Sequence, residues 1–291
     1  MNLFVFGVGF SAGYFAARRN ARGDQVGGTV RTREKAAGLS AKGIAAHVFG
    51  PDDRDSTIDA ALAACDALLI SVPPGTSGDP VLAAYAQQIA AAKRLRWIGY
   101  LSTIGVYGDH NGAWVDEQTP ATPTNARSIE RAQAEQAWLA FGAQNNIAVQ
   151  IFRLAGIYGP GQSQLVQLAR GTAKRIVKPG QVFNRIHVED IARVLDASLA
   201  HPRAGAIYNV TDNEPAPPQD VVTFAAGLCG VEPPREISLD DANLTAMGRS
   251  FYAENKRVKN DLLRTELGVT LAYPTYREGL SALRAAGEGP R

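Results

Sequence analysis

Residues 2 to 13 read Asn2-Leu3-Phe4-Val5-Phe6-Gly7-Val8-Gly9-Phe10-Ser11-Ala12-Gly13. The apolar run before Gly7 predicts a buried strand, and the residues from Ser11 to Arg22 predict a helix. Between them stands Gly-x-Gly-x-x-Ala, the pattern of the phosphate-binding turn in a dinucleotide-binding βαβ unit. A second strand, predicted at Gln25–Arg31, supplies the last part of that unit. These residues therefore predict a nucleotide-binding α/β fold, with a plain strand–turn–helix as the alternative.

Five residues of the turn are expected to contact the cofactor: Gly7, Gly9, Phe10, Ser11 and Ala12. A glycine at position 7 allows a tight turn, and one at position 9 lets the backbone approach a pyrophosphate. Ala12 lets the helix pack closely against the strand. The free N–H groups and the dipole at the helix N-terminus then face the phosphates.

The residues after the second predicted strand indicate which dinucleotide is bound. A protein that binds NAD usually has Asp or Glu there, because a carboxylate accepts hydrogen bonds from the ribose 2′-hydroxyl. This chain has Arg31, Thr32 and Arg33 instead. A guanidinium group suits a phosphate dianion, which a carboxylate would repel. We therefore predict NADP in preference to NAD. The alternative is a solvated turn in which Glu34 binds the ribose.

Composition narrows the class of protein and of partner. The chain has 291 residues, 45% of them hydrophobic, and its 30 basic residues nearly balance 28 acidic ones. This balance gives no reason to expect nucleic acid or a membrane surface as a partner. No stretch approaches the length of a membrane-spanning helix, and the apolar run at residues 2–6 lacks the basic region of a signal peptide. We expect a cytoplasmic monomer or homodimer that acts on a small molecule. With Cys65 and Cys229 as its two cysteines, no metal site is expected.

Strands and helices alternate through the first half of the chain. After the first βαβ unit, apolar runs predict strands at Ile44–Phe49, Ala67–Ser71, Trp97–Leu101 and Ala148–Leu154. Runs that are apolar throughout predict a parallel sheet that is covered on both faces. The predicted fold class is therefore α/β, a doubly wound parallel sheet of the Rossmann type. Ligands are expected at the carboxyl ends of its strands, where Ser71, Val72 and Pro73 end one of them.

The second half of the chain changes character. Prolines and glycines punctuate it, as at Gly159-Pro160-Gly161, Pro179-Gly180 and Pro215 to Pro218. Short elements then replace the regular alternation, which predicts a smaller substrate-binding lobe. We expect the dinucleotide-binding core to span residues 1–160, completed by 184–212. The lobe is expected to comprise 161–183 and 213–291.

Several segments resemble the extended short-chain dehydrogenase/reductase family, which contains nucleotide-sugar epimerases and dehydratases. Besides the glycine turn, these segments are Leu101–Gly108 (LSTIGVYG), Phe152–Gly161 (FRLAGIYGPG), Ile186–Ala192 (IHVEDIA) and Tyr208–Thr211 (YNVT). They follow one another in the family's order. The resemblance implies the same fold, a nicotinamide cofactor and an active site at the end of the Leu101 strand.

One departure from the family concerns its catalytic Tyr-x-x-x-Lys element. In the family the tyrosine moves a proton, and the lysine lowers the tyrosine's pKa and holds the nicotinamide ribose. Alignment on Glu135, in a long helix predicted at about Ala126–Asn145, puts Arg127 and Arg131 at these two positions. Arginine stays protonated at neutral pH and is not an ordinary base, although it can bind hydroxyls or an anion. The alternative for this helix face is a surface ion pair between Arg131 and Glu135.

The resemblance also assigns roles to other residues of this chain. Thr103 stands at the catalytic Ser/Thr position, with a strand-end cap as its alternative role. Tyr107 is the nearest phenol in sequence and is a candidate proton donor or substrate contact. The remaining cofactor candidates are Ser102, Ala155 and Gly156, and the remaining substrate candidates are Asn184, Arg185 and His187. The function expected is an NADP-dependent oxidoreductase or epimerase acting on a small polar or nucleotide-linked substrate. A non-catalytic protein that senses NADP(H) is the alternative.

Overall fold

Alternating strands and helices build a doubly wound sheet, as the apolar runs predict. The computed structural model describes residues 1–50 and 53–290. Within them, eight strands form one sheet, and seven of these strands run parallel. The predicted fold class is confirmed.

The strands of this sheet are β1 (Asn2–Phe6), β2 (Gln25–Val30), β3 (Ala45–Gly50), β4 (Asp53–Arg54), β5 (Ala67–Ile70), β6 (Trp97–Thr103), β8 (Ala148–Leu154) and β12 (Ile207–Val210). Their order across the sheet is β12-β8-β6-β5-β1-β2-β3-β4. The short edge strand β4 is antiparallel to β3 and was not predicted. The predicted bounds of β8 agree with the structure, and those of the other predicted strands differ by one or two residues.

Helices connect the strands of the sheet. They are α1 (Phe10–Ala21), α2 (Arg33–Ser40), α3 (Thr57–Ala64), α4 (Pro80–Ala91), α5 (Ala126–Asn145) and α7 (Val188–Ala200). Both faces of the sheet are buried, which explains why its strands are apolar throughout. In β1, Phe4 and Phe6 pack into a cluster with Tyr85 of α4 and Trp138 of α5. Successive side chains of a strand point to opposite faces. Leu3 and Val5 therefore face the other side, and both are also buried.

The described residues form two compact units. The first comprises Met1–Thr103, Ala126–Arg153 and Ile191–Tyr208, and the second comprises Ile104–Asn125, Leu154–Asp190 and Asn209–Arg291. The boundaries expected from the sequence differ from this division in four stretches. Residues 104–125, 154–160, 184–190 and 209–212 were assigned to the core, and they lie in the second unit.

The second unit has shorter elements. Its strands are β7 (Trp114–Val115), β9 (Gly156–Tyr158), β10 (Arg175–Val177), β11 (Arg185–His187), β13 (Glu236–Ser238) and β14 (Arg257–Val258). Its helices are α6 (Gln164–Ala169), α8 (Pro218–Cys229), α9 (Ala246–Phe251), α10 (Asp261–Thr265) and α11 (Tyr276–Ala285). The strands pair as β9 with β11, β10 with β13 and β7 with β14. Within the described residues, no helix is long and apolar enough to cross a membrane.

Candidate functional site

Gly7 holds the turn after β1 close to the end of β5. Its φ of 85° lies in the left-handed region that favours glycine. A Cβ added at this position would lie 2.9 Å from Val72 Cγ2 and 3.0 Å from the Val72 backbone nitrogen. The adjacent Ser71 N–H donates to the Phe6 carbonyl at 2.8 Å. The structure therefore brings together Gly7, Ser71 and Val72, three of the predicted cofactor residues.

Gly9 has a different environment. It is the N-cap of α1 with φ −94° and ψ −155°, a conformation open to any residue, and it is exposed. The nearest atom to an added Cβ would be the Gly7 carbonyl oxygen, 4.0 Å away. No acidic residue occupies the first turn of α1, and the first N–H groups of a helix have no partner within it. The open space and free donors fit the pyrophosphate of a dinucleotide.

Two exposed arginines follow β2, as the NADP prediction requires. Arg31, Thr32 and Arg33 are all exposed. Thr32 is the N-cap of α2 and accepts a hydrogen bond from the Lys35 N–H, so its hydroxyl has a structural role. Neither arginine forms an ion pair with another described residue. Their guanidinium groups are therefore available to an anion.

The first unit contains three of the predicted catalytic residues. Thr103 ends β6 and is partly buried, while Arg127 is exposed in the first turn of α5. Arg131, one turn further on, donates from Nη1 to the Leu101 carbonyl at 2.6 Å and to the Tyr100 hydroxyl at 3.2 Å. Its guanidinium carbon also lies 5.6 Å from the centre of the Tyr100 ring. Arg131 thus binds the protein's own strand β6.

A buried ion pair lies beneath this face of α5. The surface pair of Arg131 with Glu135, which was the alternative to a site role for this helix face, does not form: Glu135 is 3% exposed and pairs with Arg153 of β8 at 2.7 Å. Ser102, a predicted cofactor contact, donates its hydroxyl hydrogen bond to Glu135. The sequence carried a signal for this network, because an arginine within the apolar run 148–154 needs a buried partner.

Tyr107 lies in the second unit, in the 3₁₀ turn Ile104–Tyr107. Its side chain is fully buried, and its hydroxyl donates to Asn209 Oδ1 at 2.7 Å. A proton donor must reach the substrate, whereas this hydroxyl already has a buried acceptor. The geometry thus favours a packing role for Tyr107.

The three other predicted substrate contacts are buried within the second unit. Asn184 Nδ2 donates to the Lys256 carbonyl, and its Oδ1 accepts from the Val258 N–H, both at 2.9 Å. Arg185 Nη1 donates to the carbonyls of Phe183 at 3.0 Å and Ala216 at 3.2 Å. Burial lowers the pKa of this guanidinium. These side chains form hydrogen bonds with backbone groups of the protein itself. A side chain that contacts a substrate was expected to be accessible instead.

His187 is also enclosed, between two aromatic rings. Its ring centre lies 4.1 Å from that of Tyr273 and 5.1 Å from that of Tyr158. Nδ1 accepts the Glu189 N–H at 3.2 Å, and burial lowers the histidine pKa to about 4. The ring is therefore neutral at physiological pH, and it packs between the two tyrosine rings.

The other predicted cofactor residues divide between the units. Pro73 is exposed in the first unit. In the second unit, Ala155 is buried and its N–H donates to the Val210 carbonyl at 3.1 Å. Gly156 begins β9 and is exposed, and its N–H donates to the Asn184 carbonyl at 3.1 Å. Their roles toward a cofactor stay predictions.

Comparisons with known proteins bear on this site. Residues 81–211 match the model of the NAD dependent epimerase/dehydratase family. Protein YeeZ of Escherichia coli K12 is 31% identical over 290 residues, which cover 93% of this chain and 95% of YeeZ. A functionally unknown conserved protein from Silicibacter pomeroyi has a similar structure, with 50% identity, a TM-score of 0.89 and coverage of 98% of this chain and 99% of that one. A dTDP-glucose 4,6-dehydratase from Bacillus anthracis, in complex with NAD, shares the fold at 17% identity, a TM-score of 0.79 and coverage of 99% and 97%.

Proposed function

Because the chain belongs to the NAD-dependent epimerase/dehydratase family, within the extended short-chain dehydrogenase/reductases, we propose that it is an NADP-dependent oxidoreductase or epimerase. Its substrate is a small polar or nucleotide-linked molecule. Membership of the family makes it an NAD(P)-binding protein of the epimerase/reductase type. The preference for NADP, the substrate class and the catalytic residues belong to the proposal.

The observation that carries the proposal is the open space beside Gly9 at the N-terminus of α1. Gly9 leaves room beside the free N–H groups of the helix, and Arg31 and Arg33 are exposed at the end of β2. A pyrophosphate binds at the helix N-terminus, and the two guanidinium groups bind the 2′-phosphate. A bound nicotinamide supplies hydride-transfer chemistry. The role of the chain is to bind and orient that ring and the substrate.

The proposed roles near the reacting end rest on Thr103. Its hydroxyl, at the end of β6, orients a substrate carbonyl or alcohol by a hydrogen bond. Arg127 is exposed and binds an anionic group of the substrate. Tyr107 was also predicted as a proton donor, and that role would require its hydroxyl to leave its hydrogen bond to Asn209. Full turnover by Tyr107→Phe would remove it from that role.

One observation favours the non-catalytic alternative, a protein that senses NADP(H). The alignment on Glu135 predicts Arg127 at the family's tyrosine position and Arg131 at its lysine position, and Arg131 donates a hydrogen bond to β6. A sensor needs only to bind the cofactor and needs no catalytic residues. This chain has the glycine turn that would bind the cofactor. The two functions differ in whether a bound cofactor then exchanges a hydride with a substrate.

One measurement tests the preference for NADP that both functions share, and a second separates the enzyme from the sensor. Titration calorimetry of the full chain is expected to show NADPH binding at least about tenfold tighter than NADH, a difference of roughly 1.4 kcal/mol. Equal affinities would contradict the NADP preference. A screen of NADPH oxidation across aldehydes, ketones and sugar nucleotides then tests catalysis. NADPH oxidation with any of them supports a reductase. An epimerase returns the hydride to its substrate and consumes no NADPH overall, so the sugar nucleotides are also followed by proton NMR. Binding without NADPH oxidation and without a change in any sugar across the panel supports the sensor.

A further inference from the structure

In the second unit, the residues that follow α11 turn back over α6. Residues 287–290, here called the strap, have the sequence Gly-Glu-Gly-Pro. Gly287 and Gly289 have φ values of 95° and 102°, in the left-handed region that favours glycine. The Glu288 N–H donates to the Leu283 carbonyl in α11 at 3.1 Å. The two glycines therefore let the chain reverse on either side of Glu288.

The Glu288 carboxylate fastens the strap to the start of α6. Its Oε1 accepts the Gly161 N–H at 2.6 Å, and its Oε2 accepts the Ser163 hydroxyl at 2.8 Å. Ser163 is the N-cap of α6, and its hydroxyl oxygen also accepts the Val166 N–H at 3.3 Å. Hydrogen bonds to an ionised carboxylate are roughly twice as strong as those between neutral groups. One side chain thus joins the strap both to the turn before α6 and to the cap of that helix.

Arg284 holds the backbone of the strap from the side of α11. Its Nη1 donates to the carbonyls of Glu288 at 3.0 Å and Pro290 at 2.9 Å. The strap itself has no Val, Leu, Ile, Met or aromatic side chain. Segments with few buried apolar contacts open locally at a much lower free energy than the whole fold. The polar contacts of Glu288 and Arg284 therefore decide whether the strap is closed or open.

The strap lies on a cysteine and on a core residue of α6. A Cβ added at Gly289 would lie 2.8 Å from Cys229 Sγ and 3.6 Å from Leu165 Cβ. Cys229 is the last residue of α8 and is half-buried. Leu165 belongs to an apolar cluster that joins α6, α8 and α11. Because the strap adds no large apolar side chain to this cluster, its departure would uncover the thiol and leave the helices packed.

We infer that the strap opens and closes within the folded second unit, and that it thereby controls access to the Cys229 thiol and the freedom of the turn before α6. In the closed state, Glu288 binds Gly161 and Ser163, and Gly289 covers the thiol. In the open state these contacts are lost, while the apolar cluster of the three helices stays packed. The inference is independent of the proposed function, since no residue of the strap has a role in that function.

The two cysteines of the chain allow strap opening to be measured. The full chain is mixed with an excess of the thiol reagent DTNB, and the absorbance of the released thionitrobenzoate gives the labelling rates. Cys229→Ser identifies the phase that belongs to Cys229. Cys65 is 1% exposed and burial raises its pKa to about 12, so its labelling reports unfolding of the chain. We expect Cys229 to react faster than Cys65 by about a hundredfold or more.

Two variants each remove one fastening of the strap. Glu288→Ala is expected to speed the labelling of Cys229 at least about tenfold, and Arg284→Ala at least about threefold, with Cys65 within about twofold of the wild type. The two variants change the local charge in opposite directions, so a purely electrostatic effect on the thiol cannot speed labelling in both. Glu232→Ala, at an exposed glutamate just beyond α8, is the matched control and keeps the wild-type rate.

Amide hydrogen exchange at Gly161 gives a second readout, because its N–H loses its acceptor when the strap opens. Exchange there is expected to be at least about tenfold faster in Glu288→Ala than in the wild type. Wild-type labelling of Cys229 in both variants would overturn the inference. So would equal acceleration of Cys65, which would assign the exposure of the thiol to global unfolding, and so would labelling that is faster in Glu288→Ala but slower in Arg284→Ala, which would indicate an effect of charge alone.

Discussion

At the scale of single residues, the two glycines of the first turn have separable roles. Gly9→Val is expected to abolish NADPH binding, because its branched side chain fills the space above the helix N-terminus. The fold tolerates it: the Gly9 conformation suits any residue, and an added Cβ meets no atom closer than 4.0 Å. The loss of stability is about 1 kcal/mol or less, the scale of a poorer N-cap. Circular dichroism and calorimetry measure the two effects.

Gly7→Ala is the matched variant for this prediction. Its backbone has φ 85°, and its Cβ would crowd Val72, so it destabilises the fold by about 1–3 kcal/mol. The contrast distinguishes a glycine required by a ligand from one required by the turn. If Gly9→Val kept its affinity for NADPH, the turn at Gly9 would have a structural role and would not contact the cofactor.

Arg31 carries a second prediction at the same scale. Arg31→Ala is expected to lower NADPH affinity about tenfold and to leave NADH affinity within about twofold, because the lost contact is with the 2′-phosphate. Stability is expected to stay unchanged, since the side chain is exposed. Arg96→Ala, at another exposed arginine of the first unit, is the control. Parallel losses of both affinities would contradict a 2′-phosphate contact.

At the scale of elements, α5 and β6 are joined by side chains that the sequence did not pair. Arg131 donates to the Leu101 carbonyl at 2.6 Å, while Arg127 is exposed on the same helix. Arg131→Ala is therefore expected to lower the free energy of unfolding by about 1–2 kcal/mol, the scale of a lost hydrogen bond from a charged group at a partly exposed site. Arg127→Ala is expected to leave it unchanged. Urea denaturation measures both.

The same two variants test the cofactor role of this helix. If Arg131 also holds the nicotinamide ribose through its remaining N–H donors, Arg131→Ala weakens NADPH binding by about 1–3 kcal/mol. Unchanged NADPH affinity in both variants would leave α5 without a cofactor role. A stability loss in Arg127→Ala equal to that in Arg131→Ala would contradict the contacts described for β6.

Elements with strong local signals could be predicted from the sequence. The glycine turn and the bounds of α5 and β8 agree with the structure, since helix periodicity and continuous apolar runs are local patterns. Strands of two residues, such as β4 and β7, were missed because no periodicity appears over that length. The buried pair of Glu135 with Arg153 was also missed. Its partners are distant in sequence, and the pattern around Glu135 fitted a surface pair equally well.

At the scale of the whole molecule, stability is expected to depend on Asp212 as the pH rises. Burial raises the pKa of this carboxyl from 3.8 to about 8, so between these values the folded protein holds a proton that the unfolded chain releases. The contribution of Asp212 to stability is therefore complete below pH 4 and is lost as the pH rises through 8. This direction is opposite to that of an ion-paired aspartate, whose contribution is lost on acidification.

Asp212→Asn tests this dependence, because asparagine keeps the shape of the protonated acid and cannot ionise. At pH 8 the variant is expected to be more stable than the wild type by about 2–5 kcal/mol, and at pH 4.5 the excess is expected to fall to about 1 kcal/mol. Calorimetric melting at both pH values measures the difference, with Asp240→Asn as the exposed control. A difference that did not change with pH would mean that Asp212 is ionised in the folded protein. A stabilising effect at pH 8 would show that the wild type retains a carboxyl at the expense of stability, which is the pattern of a residue kept for binding.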